Sequence, residues 1–299
     1  MLDKLNTTPL KGIRIVSFGE VLFDTIDNEP HLGGAPLNFA WYASQMGAEV
    51  ALLSAVGNDL LGNRALNTIQ NSQIEPVIMR SELPTGVANV CRDGSFKIAR
   101  GKAWENISVP LSVGPEVQLL YFGSLAQVSE ENRSSLMTLL DRKPRSVLVD
   151  LNLRDDCYTN QTVEDCLYYA TILKVNENEW NVVSEITGID DPETLMRQKH
   201  LNTMAVTKGE NGATLYSATG GIEFKTNEID LIDHTGAGDA FSAVLAIGIL
   251  VNAPPAQALA ASCKAGSIVA SKKGALVKLP NDILHAYQQI MNQEIHNPS

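Results

Sequence analysis

A glycine-rich turn that runs straight into a long apolar segment constrains this chain more than any other feature. Residues 233–241 read Asp-His-Thr-Gly-Ala-Gly-Asp-Ala-Phe, and the apolar run 240–251, interrupted by Ser242, follows. The run is too short to span a bilayer and predicts a buried helix that opens at the turn. The first N–H groups of a helix lack intrahelical partners, and the helix dipole adds partial positive charge there. Such a turn suits a phosphate or a developing anion. Asp239, in the first helical turn, is then placed to take a proton from an attacking hydroxyl while Gly236, Ala237 and Gly238 hold a phosphoryl group. A tight turn with an acidic first helical turn would share the pattern, so the reading needs support elsewhere in the chain.

Two other phosphate motifs are excluded. The dinucleotide fingerprint fails because Phe241 stands where its third glycine belongs, and no acidic residue follows at the required distance. A P-loop fails because Gly101-Lys102 is followed by Ala103 rather than Ser or Thr.

The formal charge of −11 argues against nucleic acid as a partner, since phosphate backbones are bound by excess Lys and Arg. A small anion such as ATP can still bind at a local site. The four cysteines (Cys91, Cys157, Cys166 and Cys263) form no Cys-x-x-Cys pair, and the five histidines are scattered, so neither a zinc site nor a redox motif is indicated. Scattered thiols fit a reducing cytosol. The N-terminal residues have no apolar core of a signal peptide, and the expected location is cytoplasmic with no membrane partner.

Strand-like segments at 12–18, 50–55, 118–122, 145–151, 172–175 and 204–207 alternate with helix-like segments at 36–46, 60–70, 130–140, 163–170 and 178–186. Near-continuous Val, Ile and Leu in the strands predicts a mostly parallel sheet with helices on both faces, an α/β fold. One segment breaks the rhythm. Residues 85–92 and 95–100 are β-like and flank Asp93-Gly94, a strong hairpin signal. A hairpin among βα units either projects from the sheet or forms its edge.

Several polar segments follow strand ends, where ligands of open α/β sheets bind. Asp24 lies just past the first strand. Leu32-Gly33-Gly34-Ala35-Pro36-Leu37-Asn38 is a second glycine turn entering a helix, and Asn38 can both donate and accept hydrogen bonds to a polyol. Asn176 and Glu179 follow the strand at 172–175. They could cap a helix or lie beside a phosphate-bound Mg²⁺, which takes oxygen ligands and keeps several waters. Thr207, Gly209 and Gly212 follow another strand, and Asn152 and Arg154 a further one.

With these residues in hand, the chain resembles the ribokinase-like (phosphofructokinase-B) carbohydrate kinases over residues 13–280, including both signature regions, 33–40 and 233–241, in the expected order. The resemblance implies a ribokinase-like fold in a single domain, with a small β lid contributed by about 22–32 and 85–104. It implies Asp239 as catalytic base and Gly236, Ala237 and Gly238 as the anion hole. Asp24, Gly34 and Asn38 would bind sugar hydroxyls, with Arg100 and Arg154 also at the substrate. Asn176 and Glu179 would organise Mg²⁺ and the ATP phosphates. Thr207, Gly209 and Gly212 would line the nucleotide site, with Cys263 near the adenine. Asp233 and Thr235, with carbonyls near 271–275, match a monovalent-cation site, for which K⁺ is the candidate. A homodimer is left open.

Within the family, Gly33-Gly34-Ala35-Pro36, Ala103-Trp104-Glu105-Asn106-Ile107, residues 122–127 and Asn152-Leu153-Arg154 resemble bacterial fructokinases. The leading expectation is therefore an ATP-dependent sugar kinase making fructose 6-phosphate. A kinase for another small sugar or sugar acid, such as ribose or 2-keto-3-deoxygluconate, is the alternative, because Arg154 and Arg100 could pair with a carboxylate. A sugar-binding sensor without catalysis is the reading from another class, and an intact Asp239 weighs against it. The dipole at the helix start is expected to favour the charged form of Asp239, making it a weak base.

Overall fold

The computed structural model describes residues 13–26, 29–90, 96–110, 113, 116–154, 157–226, 230–287 and 290. The parallel strands are β1 (Arg14–Phe18), β4 (Glu49–Gly57), β5 (Glu75–Ser81), β8 (Leu119–Phe122), β9 (Ser146–Asp150), β10 (Ile172–Asn176) and β11 (Thr203–Thr207). With the antiparallel edge strands β12 (Ala213–Ser217) and β13 (Gly220–Phe224) they form a nine-stranded sheet in the order β13-β12-β11-β10-β9-β8-β1-β4-β5. The chain builds outward from β1 to β4 and β5, then returns to β8 on the other side of β1 and proceeds to β11. This reversal leaves a crevice beyond the C-terminal ends of β1 and β8, the place where doubly wound sheets bind ligands.

Alternate residues of each strand face opposite helical layers. Ile15, Leu52, Tyr121, Leu148 and Ile172 pack with α1 (Ala35–Gln45), α2 (Leu60–Gln70), α7 (Ala237–Leu250) and α8 (Pro255–Ala270). Val16, Leu53, Leu120, Val149 and Leu173 pack with α3 (Glu130–Leu140), α4 (Asn160–Tyr169), α5 (Glu177–Thr187) and α6 (Pro192–Lys199). Both sheet faces are thus covered, which is why the strands are apolar on both sides. Residues 240–248 of α7 are all buried, the state expected of a helix that is apolar all round. Side chains set the starts of two of these helices: Asp59 caps α2 through Gly62 N, and Ser129 caps α3 through Asn132 N. A short α9 (Asn281–Leu284) closes the described part of the C-terminal region.

A second, four-stranded sheet has the order β3-β2-β6-β7, from β2 (Leu22–Ile26), β3 (Glu29–Gly33), β6 (Gly86–Val90) and β7 (Phe96–Ile98). Strands β6 and β7 pair antiparallel, as the hairpin signal requires, while β2 and β6 pair in parallel. The expected turn at Asp93-Gly94 lies outside the described residues, as does Cys91. These strands fall within the segments expected to form a lid. No helix among the described residues is long and apolar enough to cross a membrane.

Candidate active site

The crevice holds a cavity of about 150 Å³. Its construction starts at Gly19, which ends β1 with φ +145° and brings the chain against the Pro36 ring. Glu20 follows. Its Oε1 accepts a hydrogen bond from Ala35 N at 3.1 Å, so a carboxylate caps α1 where Gly34 offers no side chain. Gly34 has φ +109°, and a Cβ there would sit 2.4 Å from the Glu20 carbonyl oxygen. Only glycine fits. Helix α1 then presents Asn38, whose Nδ2 donates to Asp239 Oδ2 at 2.8 Å across 201 residues of sequence. Asn38 Oδ1 is buried without a protein partner, an acceptor a ligand hydroxyl would satisfy.

The opposite wall is the start of α7. Gly236 takes φ +81° as the residue preceding the helix and packs against Ala275. Asp233 fixes this turn. Its Oδ1 accepts from Thr235 N at 2.9 Å and Thr235 Oγ1 at 2.7 Å, and its Oδ2 accepts from Gly274 N at 2.9 Å. The loop at 271–275 is also tied to α1, because Tyr42 donates its hydroxyl to the Ala275 carbonyl. The two glycine turns are therefore one mechanical unit.

Three carboxylates line the cavity. Burial pushes Glu20 up to about 7, against its backbone hydrogen bonds and Arg154. Burial likewise pushes Asp24 up to about 7, opposed by Arg154 and assisted by Asp239. Asp239 rises to about 6 through burial and the nearby Asp150 carboxylate, partly offset by Asn38, Lys174 and Arg154. This corrects the expectation that the helix N-terminus would make Asp239 a weak base: its proton affinity is raised, although the group stays mostly ionised at pH 7. Desolvation and a like charge outweigh Asn38, Lys174 and Arg154, and a value near the working pH suits a general base.

Of the residues singled out in the sequence, Asp24, Gly34, Asn38, Asn152, Arg154, Thr235, Gly236, Gly238 and Asp239 line the cavity. Ala237 and Asp233 stand in the same turn. Arg100 does not line it. Its Nε and Nη2 donate to Glu105 Oε2 at 3.1 and 3.0 Å on an exposed surface.

Asn176, Glu179, Thr207, Gly209 and Gly212 follow the C-terminal ends of β10 and β11 and are not among the residues that line the cavity. Asn176 and Thr207 are directly paired in the sheet register. Glu179 is engaged with backbone: Oε2 accepts from Asn176 N at 2.8 Å and Oε1 from Leu153 N at 3.0 Å, while Asn176 Oδ1 accepts from Glu179 N at 2.9 Å. The cap reading of Asn-x-x-Glu thus has a direct structural counterpart. Gly212 is needed for packing, since a Cβ there would lie 1.9 Å from the Phe224 carbonyl oxygen. Gly209 (φ +56°) opens a 3-10 turn at Gly209–Asn211. Cys263 is buried in the apolar core on α8, which pushes its thiol up to about 12.

The cavity also contains groups the sequence reading passed over. Glu20, four residues before Asp24, is one of them. Lys174, at the cavity wall, and its partner Asp150, bonded at 2.9 Å, sit inside apolar strands. A charge within an apolar strand was the available signal.

A doubly wound sheet, a helix N-terminus and an acid beside a polar cavity thus meet at one end of the molecule. The family description "pfkB family carbohydrate kinase" matches residues 13–282, and the chain belongs to this family of carbohydrate kinases. A fructokinase of Klebsiella pneumoniae is 27% identical, over 89% of this chain and 96% of that protein. An aminoimidazole riboside kinase of Salmonella typhimurium is 25% identical, over 83% of this chain and 84% of that protein. Among solved structures, a fructokinase from Vibrio cholerae O395 in fructose, ADP and calcium ion bound form superposes with a TM-score of 0.80. It is 24% identical and covers 92% of this chain and 99% of that one. The fold is that of these kinases.

Proposed function

We propose that this protein is an ATP-dependent fructokinase that transfers the γ-phosphoryl group to a fructose hydroxyl. The observation that carries the reading is Asp239, half-buried at the start of α7, hydrogen-bonded by Asn38 and raised to about 6. In the reaction the sugar oxygen forms a bond to phosphorus and gives its proton to Asp239. The bond to the bridging oxygen of ADP breaks, and its electron pair leaves with ADP. Gly236, Ala237 and Gly238 offer backbone N–H groups and the helix dipole to the charge in transit. Phosphoryl transfer needs mostly positioning and charge stabilisation, which this turn supplies. Asp24, Gly34 and Asn38 would hold sugar hydroxyls. The second sheet would act as a lid within a single kinase domain.

The chemistry of the cavity favours an uncharged acceptor. Glu20, Asp24 and Asp239 face Arg154 and the Lys174–Asp150 pair, and Arg100 stands apart at Glu105. A sugar acid such as 2-keto-3-deoxygluconate would meet three carboxylates against two cations. The fructokinase relative and the fructokinase-like stretches around Trp104, Gln127 and Arg154 support a ketose.

ATP would lie along the C-terminal edge of β10 and β11, near Asn176, Thr207, Gly209 and Gly212. Magnesium bound to ATP would neutralise phosphate charge. Among the described residues no group of three or more His, Cys, Asp or Glu could cage a metal. Both Glu179 oxygens already accept backbone hydrogens. The ion would accordingly arrive on the nucleotide and reach Glu179 and Asn176 through water.

ADP release from ATP and Mg²⁺ should be measured with fructose, ribose, 2-keto-3-deoxygluconate and aminoimidazole riboside. Fructose should give the largest kcat/KM. Asp239→Ala should lower kcat by roughly 10²–10⁴ while leaving ATP binding in place. A larger kcat/KM for another acceptor overturns fructokinase, and near-wild-type turnover by Asp239→Ala overturns the assigned base.

A further inference from the structure

A buried tyrosine hydroxyl needs a hydrogen-bond partner, and the partner that Tyr42 takes lies under the glycine turn before α7. Tyr42 is wholly buried on α1, one turn beyond Asn38 and on the same face of the helix. Asn38 bonds Asp239. Tyr42 donates to the Ala275 carbonyl oxygen and accepts from Val277 N at 3.3 Å. That carbonyl oxygen is also the atom against which Gly236 packs: a Cβ built on Gly236 would lie 2.8 Å from it and 2.9 Å from Ala275 Cα. Gly236 precedes α7 with φ +81°, so a shift of the carbonyl shifts the first turn of the helix. The loop is gripped from the other side as well, since Gly274 N donates to Asp233 Oδ2 at 2.9 Å. Further along the same segment, Trp41 Nε1 and Gln45 Nε2 donate to Val277 O at 3.1 and 3.0 Å, and Leu279 N donates to Gln45 Oε1 at 2.9 Å. Those bonds fasten residues 277–279 to α1 without Tyr42. What the hydroxyl adds is a fixed position for the one carbonyl beneath Gly236.

We propose that Tyr42 is a positioning residue for phosphoryl transfer: its hydroxyl fixes the Ala275 carbonyl and, through it, the distance between the first turn of α7 and the phosphoryl group. The inference rests on the kinase reading above. Tyr42 does not line the cavity and exchanges no proton in the step. It acts through Gly236, while Asn38 on the same helix face sets the place of Asp239. One face of α1 thus sets both the proposed base and the backbone donors beside it. Donors of this kind stabilise a transition state only where they are already aimed at it, and a misplacement of about 1 Å costs up to about 10²-fold in rate.

The test compares Tyr42→Phe with Gln45→Met. Tyr42→Phe removes one oxygen and keeps the ring. Gln45→Met removes two hydrogen bonds from the same segment, and neither variant changes a charge. Trp41→Phe, which also loses a bond to Val277, replaces Gln45→Met if that variant does not fold. Thermal unfolding, ADP binding, and kcat and KM for fructose are measured at a temperature where each protein is folded. Positioning by the hydroxyl predicts that Tyr42→Phe loses roughly 10- to 10²-fold in kcat while KM for fructose and the affinity for ADP stay near wild type. It also predicts loss of the extra affinity for ADP that aluminium fluoride and fructose together confer on wild type. Gln45→Met should unfold at a lower temperature and keep the wild-type kcat. Wild-type kcat in Tyr42→Phe means that the hydroxyl only satisfies a buried carbonyl and overturns the proposal. Equal losses of kcat in both variants mean that the whole segment matters rather than this contact, and overturn it too. Absence of turnover by the wild-type enzyme on every sugar tested would instead remove the kinase reading on which it stands.

Discussion

The position of Asp239 on the pH scale should be readable in the rate. A base with a value of about 6 is about nine-tenths ionised at pH 7 and about one-tenth at pH 5. The log of kcat/KM for the sugar should therefore fall with unit slope below about pH 6. Asn38→Ala should move this limb. Asn38 Nδ2 donates to Asp239 Oδ2 at 2.8 Å, and a hydrogen bond to a charged group contributes about 1.5 kcal/mol or more. At 1.36 kcal/mol per pH unit, its removal should shift the limb upward by about one unit. The sign follows from the donor favouring the charged form: without it the proton is held more tightly, and higher pH is needed to ionise the base. Asn38 is also a proposed sugar ligand, so the plateau should drop as well, but the limb is compared after normalisation. The nucleotide's own ionisation is common to both enzymes and cancels in the difference. Initial rates at saturating ATP and Mg²⁺, from pH 4.5 to 8, suffice. Coincident limbs for the two enzymes would refute the coupling between Asn38 and Asp239. A midpoint near the ordinary carboxylate value would refute the effect of burial and Asp150.

Two further outcomes are expected. Potassium should raise kcat relative to a bulky organic cation at equal ionic strength, and Asp233→Ala should abolish the difference, because Asp233 joins the turn before α7 to Gly274; equal rates in both salts sink the cation site. Sugar should protect the backbone amides of β6 and β7 from hydrogen exchange and alter Trp104 emission in a protein with Trp41 and Trp180 replaced by Phe. Trp104 is wholly buried against Gly86 at the base of the second sheet, so repacking rather than exposure would produce the signal, and unchanged exchange with unchanged emission marks a fixed sheet.

The sequence revealed most about the parallel sheet. Its strands carry apolar residues on both faces, and that pattern survives in any window. Helix α3 was expected at 130–140 and is found at Glu130–Leu140, since Ser129 is a ready cap. Elements with mixed surroundings were missed. β5 is a sheet edge with Glu75, Pro76 and Arg80 outward, and its charges mask its period. β12 and β13 are the antiparallel margin, where β13 alternates partly buried and exposed residues. Helix α8 begins at Pro255 without a side-chain cap and was not anticipated.

The site was legible where chemistry depends on backbone, and less so where it depends on burial. Glycine turns at 33–34 and 236–238 stand out in the sequence, and at Gly34 no other residue tolerates φ +109° with a Cβ 2.4 Å from a carbonyl oxygen. The electrostatics did not, because the sequence gives no distance between carboxylates far apart in the chain. Asp150 and Asp239 are 89 positions apart by number, yet Asp150 is the charge that, with burial, lifts Asp239. The same carboxylate holds Lys174 beside Gly238 at the start of α7. One buried acid thus raises the proton affinity of the proposed base and fixes a cation beside the proposed path of the phosphoryl group. Both effects arise because β9, β10 and α7 converge at one end of the sheet, and the two strands alone do not reveal that convergence. A charged residue within an apolar strand is the trace it leaves in sequence. Asp150 and Lys174 each carry that trace, and together they mark where the sheet meets α7.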